Sequence, residues 1–230
     1  MIIINAYMID YGLLTISMII ALASQGYINS WFSKTKKMKN HKGLTGKEVA
    51  RQILDNNGLK NVKVVETQGV LSDHYDPRNK TVNLSPDIYE GNTIAAVSVA
   101  SHECGHAIQD KDGYLFLKIR RSIVPIVNLA STLGYISILI GIFAGAFTFL
   151  RIGILMEVVI LAFQIITLPV EFNASSRALK KIEEYKMVTD EEHGYATKML
   201  TSAALTYVAS VAATLVQILR LVLLFSGNDR

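Results

Sequence analysis

Residues 99–107 read VASHECGHA, and this stretch contains the pattern His-Glu-x-x-His. In an α-helix, residues four positions apart lie on the same face, so His102 and His106 can offer two imidazole nitrogens to one metal ion. Glu103 lies about 100° around the helix from His102, where it can reach a water on that metal without being a ligand. The pattern is typical of a two-histidine zinc site with a general-base glutamate.

The alternative interpretation of this stretch is a pair of core histidines beside a solvated glutamate. The preceding residues, from Ile94 to Ala100, are nearly all small or apolar, which predicts a buried helix. A glutamate on so apolar a helix needs a partner or a role, and this favours the zinc site. Cys104 lies about 200° from His102 and cannot share the metal, so we expect a small buried thiol. It is the only cysteine, which excludes a disulfide within the chain.

The residues around the motif, 43–121, are predicted to form a small soluble unit. Thr45 and Glu48 have the spacing of a capping box that opens a helix ending near Asn56. Local alternation and turn residues predict a strand at 62–65 and a turn-linked pair of strands at 73–76 and 81–84. Next, Ser85 and Pro86 suit a helix start, and a further helix from about 92–93 carries the motif.

The composition points to a membrane. Of 230 residues, 50% are hydrophobic and only 18% are charged, with a mean hydropathy of +0.32, which is too apolar for an ordinary soluble domain. The net charge is +4, and the lysines cluster beside apolar segments, as at the cytoplasmic face of a membrane. No aromatic-basic interleaving or glycine-rich phosphate loop accompanies them, so we expect no nucleic-acid partner.

Four apolar segments have the length to cross a bilayer, namely 7–27, 122–150, 152–170 and 203–225. The positive-inside rule places the lysines between 34 and 42, and those between 180 and 186, in the cytoplasm. We therefore predict an integral membrane protein, mainly α, with its N-terminus outside and a small α+β zinc peptidase domain on the cytoplasmic side. The predicted divisions are a first transmembrane helix (1–29), the cytoplasmic zinc peptidase domain (30–121), a transmembrane hairpin (122–170), a cytoplasmic segment that is expected to supply a third metal ligand (171–202), and a fourth transmembrane helix with a short tail (203–230).

Three details of the spans are also predicted. The hairpin is expected to turn at Arg151, and Gly134, Gly141 and Gly145 suit close helix packing. Arg220 interrupts the fourth segment, which leaves open that this segment is a buried core helix.

A charge inside a span is costly unless it is paired. Equal depth permits an ion pair between Arg220 and Glu157, with Asp10 as a second possible partner. Snorkelling of Arg220 to the headgroups is the alternative.

Zinc catalysis needs three protein ligands and an open position, so the two histidines are not sufficient. Glu171 is a candidate third ligand, because it lies where the third span returns to the side of the motif. If this region is helical, Ser175 shares a face with Glu171 and can steady its carboxylate. His74 is an alternative ligand, although a loop histidine beside a substrate strand is favoured.

Two other side chains have competing interpretations. Arg177 either binds a carboxylate or lies among lipid headgroups, and the second interpretation is slightly favoured. His193 follows three acidic residues and is expected to be solvated in a polar loop.

Four stretches together resemble the YugP-type bacterial membrane zinc metallopeptidases: residues 43–51, 71–78, 101–109 and 170–175, which read GLTGKEVAR, LSDHYDPR, SHECGHAIQ and VEFNAS. More distantly, the layout is similar to the HtpX and CAAX-prenyl-protease gluzincins. The resemblance implies His102 and His106 as zinc ligands, Glu103 as general base and Glu171 as third ligand. In the HtpX-like pattern an aspartate often stands four residues after the ligand glutamate, whereas Ser175 stands there in this chain.

The resemblance also implies a function and a substrate strand. Gluzincins bind extended peptides along the strand before the zinc helix, so His74 and Tyr75 are expected to contact substrate or stabilise an oxyanion. The alternative for this segment is a turn held by two aspartates. We expect a zinc endopeptidase of the bacterial cell membrane that cleaves membrane or membrane-proximal proteins at the cytoplasmic face. The rival interpretations are a membrane scaffold with structural zinc and a zinc hydrolase of a non-peptide amide or lipid headgroup.

Overall fold

The computed structural model describes the backbone of residues 2–69 and 71–228 and the side chains of residues 8–69 and 71–224. The chain is mainly helical and contains one small sheet, as predicted. The predicted tail ends with two residues, 229 and 230, that lie outside the described part. In chain order the elements are α1 (Ile2–Lys36), α2 (Gly46–Asn56), β1 (Lys63–Glu66), β2 (His74–Asp76), β3 (Thr81–Leu84), α3 (Pro86–Tyr89), α4 (Ile94–Lys111), α5 (Leu115–Phe143), α6 (Phe147–Glu184) and α7 (Asp190–Asn228).

The chain divides into two compact units. The first, here called the membrane unit, comprises Met1–Gln25, Ile119–Leu168 and Thr206–Arg230. The second, here called the sheet unit, comprises Gly26–Lys118 and Pro169–Leu205. Helices α1, α5, α6 and α7 contribute residues to both units.

Within the described residues, four helices are long and apolar enough to cross a membrane, namely α1, α5, α6 and α7. This confirms the prediction of four apolar helices, including the fourth, which the sequence left open as a core helix. Large apolar side chains stand exposed along them, among them Leu22 at 64%, Tyr135 at 67% and Phe143 at 85% exposure. Apolar surface of this extent is typical of contact with lipid rather than water.

The turn between α5 and α6 differs from the prediction. Arg151 lies inside α6, which begins at Phe147, so the turn comes before it and not at the charge. Gly145 has a φ of +61° there, a conformation that glycine adopts without steric cost, so this glycine forms the turn rather than a packing contact. The predicted close packing holds at Gly134 and Gly141, because an added Cβ would lie 2.8 Å from atoms of Met156 and Leu150 respectively.

The charge pair in the membrane unit also differs from the first prediction. Arg220 donates from Nε to Asp10 Oδ1 at 2.6 Å and from Nη2 to Asp10 Oδ2 at 3.3 Å. The pairing of Arg220 with Glu157 is therefore wrong, and the second candidate, Asp10, is the partner. The positions of Glu157 and Asp10 along their helices permit either one to pair with Arg220. The contact between α1 and α7 decides in favour of Asp10.

The sheet unit begins with the predicted capping box. The Thr45 hydroxyl accepts a bond from Glu48 N, and the Glu48 carboxylate accepts one from Thr45 N at 2.8 Å. The strand order is β1-β3-β2, with β3 parallel to β1 and antiparallel to β2, so the predicted strand pair at 73–76 and 81–84 is confirmed. The metal-motif helix, α4, begins after Thr93, whose side chain accepts from Ala96 N at 3.2 Å.

The core of the sheet unit surrounds α4. Apolar side chains of α2, β3 and α4 are fully buried together, including Ile53, Leu84 and Ile94. From the other part of the unit, Ile182 and Met187 join the same core. Burial on several sides holds α4 rigidly, and a rigid helix can position metal ligands accurately.

Candidate metal centre

His102 and His106 project from one face of α4, as their spacing predicts. Their ring centroids lie 4.7 Å apart and the ring planes are nearly perpendicular, at 87°. The two side chains keep only 15% and 12% of their surface exposed. The pair is therefore held in a recess that a small ligand or a water can still reach.

Glu171, from α6, completes the group. Its Oε2 atom lies 3.3 Å from His102 Nε2 and 3.7 Å from His106 Nε2, and its side chain is 4% exposed. Among the described residues, these three side chains form the one group whose ligand atoms could together hold a metal ion, all lying within 4.8 Å of one another. Tetrahedral zinc with bonds of about 2.0–2.2 Å separates its ligand atoms by about 3.3–3.6 Å. The two separations from Glu171 Oε2, 3.3 and 3.7 Å, lie at or close to this range, and the donor set suits zinc.

The outer nitrogens of both imidazoles are engaged in hydrogen bonds. His106 Nδ1 donates to Gln109 Oε1 at 3.0 Å, and His102 Nδ1 lies 3.2 Å from Ser175 Oγ. Bonds of this kind fix the tautomer and leave Nε2 of each ring to face a metal. Ser175 was predicted to steady the Glu171 carboxylate. The structure instead places its hydroxyl against His102, because α6 packs beside α4 at this point.

Gln109 is a residue that the sequence did not single out. It is fully buried, and its Nε2 donates to Val170 O at 2.8 Å and to Asn173 Oδ1 at 3.0 Å. One amide group thus joins His106 on α4 to the backbone beside Glu171 on α6. The available sequence signal is its position three residues after His106, on nearly the same helix face.

A close approach of the two helices brings the three side chains together. A Cβ added at Gly105 would lie only 2.5 Å from Ala174 O, so α4 and α6 touch at a point where only glycine fits. Gly105 immediately precedes His106, and Ala174 follows Glu171 by three residues. The glycine inside the motif therefore sets how near Glu171 comes to the two histidines.

Glu103 is almost completely buried, with 7% of its surface exposed. The pKa of Glu103 is raised to about 7, chiefly by this burial. His102 opposes the rise, and the negative charge of Glu171 contributes to it. The carboxylate also accepts a hydrogen bond from the backbone N–H of Tyr75 on β2. A carboxylate with a pKa near neutrality can accept a proton and release it again.

The candidates on β2 have different surroundings. His74 is exposed, its Nδ1 bonds to Ser72 O at 2.8 Å, and it does not belong to the metal group found among the described side chains. The Tyr75 hydroxyl donates to Asp110 Oδ2 at 2.8 Å, an acceptor that Lys80 Nζ also approaches at 2.6 Å. The hydroxyl of Tyr75 is therefore committed to Asp110.

The remaining predicted residues also have defined places. Arg177 pairs with Asp112, Nη1 to Oδ2 at 2.5 Å, so it binds a carboxylate of the chain itself. Contact of Arg177 with lipid headgroups stays a prediction. His193 lies in the first turn of α7 rather than in a loop, and its Nε2 is 3.4 Å from Leu179 O. Cys104 is fully buried, as predicted, and burial raises the pKa of its thiol strongly.

Comparison with known proteins agrees with this centre. The family model described as "Putative neutral zinc metallopeptidase" matches residues 11–226. A protein of Bacillus subtilis (strain 168) named "Putative membrane protease YugP" is 44% identical over 207 residues, which cover 90% of this chain and 92% of that protein. No solved structure matches the chain. Because the family match extends over nearly the whole chain, including the metal-motif helix and the helix of Glu171, the chain belongs to this family of zinc metallopeptidases.

Proposed function

We propose that this protein is a membrane-embedded zinc endopeptidase of the gluzincin type, with its active site at the cytoplasmic face. In this proposal His102, His106 and Glu171 hold the zinc ion, and Glu103 is the general base. The observation that carries it is the convergence of both histidine Nε2 atoms on Glu171 Oε2 while both Nδ1 atoms are engaged elsewhere. The relative named as a membrane protease supports peptide bonds as the substrate and a membrane as the location.

The chemistry divides between the ion and the chain. Zinc, when bound, acts as a Lewis acid that polarises a carbonyl and lowers the pKa of water. Glu103 accepts the proton of the attacking water and then delivers it to the leaving amine. The Tyr75 N–H bond holds the Glu103 carboxylate in place, and burial keeps competing water away from it. Ser175 and Gln109 keep the imidazole rings oriented.

The substrate is proposed to lie along β2. This strand is at an edge of the sheet, since the order is β1-β3-β2, and an edge strand can pair with an extended peptide. His74 is exposed on β2 and so can contact a peptide there, whereas Tyr75 contributes its backbone rather than its hydroxyl. The physiological substrates are proposed to be membrane or membrane-proximal proteins.

The Glu103→Gln variant tests the mechanism. Gln has nearly the same shape but cannot accept the proton, so hydrolysis of a quenched fluorescent peptide should fall by about 10²–10⁴-fold or more. Zinc content, measured by mass spectrometry of the purified protein, should stay at the wild-type level because the ligands are intact. Normal turnover by this variant would refute Glu103 as the base.

The Glu171→Ala variant tests the ligand set. Two histidines alone hold zinc poorly, so most of the bound zinc should be lost during purification. Glu184→Ala, at an exposed position near the end of the same helix, is the matched control and should keep its zinc. Equal zinc content in the two variants would contradict the proposed ligand set.

A further inference from the structure

The membrane unit contains a polar groove that the metal centre does not use. It consists of two adjoining cavities, of about 340 and 380 Å³, both lined by α1, α6 and α7 and both including Ala21, Ala213 and Thr214. The first also contains Gln164 and Ser210, and the second contains Glu157 and Gln217. Here this pair of cavities is called the polar groove.

The polar side chains follow the helix repeat. On α6, Glu157 and Gln164 are seven residues apart, which is two turns on one face. The same spacing separates Ser17 and Ser24 on α1. On α7 the polar positions recur every three or four residues from Thr206 to Gln217, a length of about 16 Å at 1.5 Å per residue. The polar groove thus extends over about half of a 30 Å hydrocarbon core.

Among the side chains that the structure describes, Glu157 has no partner in the groove. Arg220 was its predicted partner in this unit. Arg220 instead binds Asp10 through two nitrogens. Over the described side chains, 8–69 and 71–224, no hydrogen bond or ion pair to Glu157 is formed. Gln164 Oε1, in the same groove, is buried and also lacks a hydrogen bond. Lipid cannot satisfy such groups, so an occupant with donor groups is needed.

We propose that the polar groove receives a transmembrane segment of the protein substrate and that a basic side chain of this segment pairs with Glu157. The inference rests on the proposed function, since it names the substrate class of that peptidase. The unpaired carboxylate selects a cationic partner. The small side chains of Ala21, Ala209 and Ala213 allow the backbone of another helix to approach closely. The length of the groove matches about three turns of such a helix.

A binding experiment in lipid vesicles tests this proposal. The full-length protein is reconstituted in phosphatidylcholine, and its single tryptophan, Trp31, serves as energy donor to a dansyl group on a synthetic peptide. Two Leu-Ala transmembrane peptides are compared, one with a central lysine and one with leucine at that position. The lysine peptide should bind at least tenfold more tightly to the wild-type protein.

The variants locate the binding. Glu157→Gln should reduce the preference for lysine to less than about twofold, and Glu157→Lys should instead prefer a peptide with a central glutamate. Ala213→Phe fills the groove and should weaken binding of both peptides. Leu215→Phe, at an exposed position of α7 outside the groove, is the matched control and should bind as the wild type does.

The outcomes separate this inference from the proposed function, because binding requires no hydrolysis. Equal affinity of the wild-type protein for the lysine and leucine peptides would overturn the inference even if the enzyme cleaves soluble peptides, and this comparison remains decisive if a Glu157 variant does not fold. Lysine preference in a protein that cleaves no peptide would count against the proposed function alone. A dimer that dissociates on Ala213→Phe substitution would identify a second copy of the chain as the occupant and would also overturn the inference.

Discussion

At the scale of single residues, the imidazole orientation depends on side chains that hold no metal themselves. Gln109 forms a hydrogen bond with Nδ1 of His106, as Ser175 does with Nδ1 of His102. The Gln109 side chain is fully buried. A buried amide that bonds three groups is costly to replace, because each former partner is left unsatisfied. Gln109 is therefore the residue whose loss should affect the metal site most among those that do not bind the ion.

Gln109→Leu should weaken zinc binding by about 10–100-fold, the usual effect of losing a partner of a ligand histidine. Competition with a chromophoric chelator measures the zinc dissociation constant directly. Gln109→Glu keeps an acceptor for His106 Nδ1 and should recover part of the affinity. Gln52→Leu, at an exposed position of α2, is the control. If Gln109→Leu destabilises the metal-free protein but leaves zinc affinity unchanged, its role is structural only.

At the scale of elements, the metal centre requires α4 and α6 to be in contact. Gly105 permits this contact because no Cβ intervenes against Ala174 O. The third ligand and the two histidines come from segments more than sixty residues apart, and contact of the two helices determines their separation. Packing at one glycine thus controls the geometry of the whole group.

Gly105→Ala should move α4 and α6 apart, since its Cβ would lie 2.5 Å from a backbone oxygen. Overpacking of this kind costs about 1–3 kcal/mol, and zinc affinity should fall with it. Gly194→Ala, in helix α7 with nothing within 4 Å, is the matched control and should be neutral or slightly stabilising. Thermal unfolding with and without zinc measures both effects. A Gly105→Ala protein as stable and as zinc-avid as the control would disprove this account.

The capping box of α2 gives a prediction with pH dependence. Bonds from the Thr45 backbone N–H and hydroxyl lower the pKa of Glu48 below its ordinary value of 4.5. A carboxylate whose pKa is lower in the folded state contributes stability above pH 4.5 and loses it as the pH falls through the folded value. Thr45→Ala should cost about 0.5–2 kcal/mol at pH 7. It should flatten the acid limb of stability in part, because the hydroxyl is lost while the backbone N–H of residue 45, the larger cause of the lowered pKa, remains. Thr45→Ser should retain both the stability at pH 7 and its dependence on acid pH. Amide hydrogen exchange of α2 at several pH values measures both, and an acid limb in Thr45→Ala that is unchanged from the wild type would contradict the assignment.

At the scale of the whole molecule, the distribution of basic residues predicts on which side of the membrane the metal centre lies. Lysines occur in the last turn of α1 and directly after it, and they recur near residues 180–186. Arg151, in contrast, is the only basic residue between positions 122 and 176. The positive-inside rule then places the lysine-rich segments in the cytoplasm. The orientation is part of our proposal, and it is open to direct measurement.

Single-cysteine labelling tests the orientation. An impermeant maleimide should label Arg151→Cys in intact cells, and Lys37→Cys and Lys181→Cys only after permeabilisation. The native thiol gives little background, because Cys104 is fully buried and its raised pKa disfavours the reactive thiolate. Labelling of Lys37→Cys in intact cells would invert the proposed topology.

The sequence by itself determined the features that depend on local periodicity. The spacing of His102 and His106, the capping box at Thr45 and the four apolar helices follow from the geometry of a single helix, so neighbouring residues suffice to predict them. Only the tertiary structure decided the rest: that Gln109 and Ser175 hold the imidazoles, that the α5–α6 turn lies at Gly145, and that Arg220 pairs with Asp10, 210 positions away. These choices depend on lateral contacts between helices, and several partners are equivalent in depth and spacing until the helices pack.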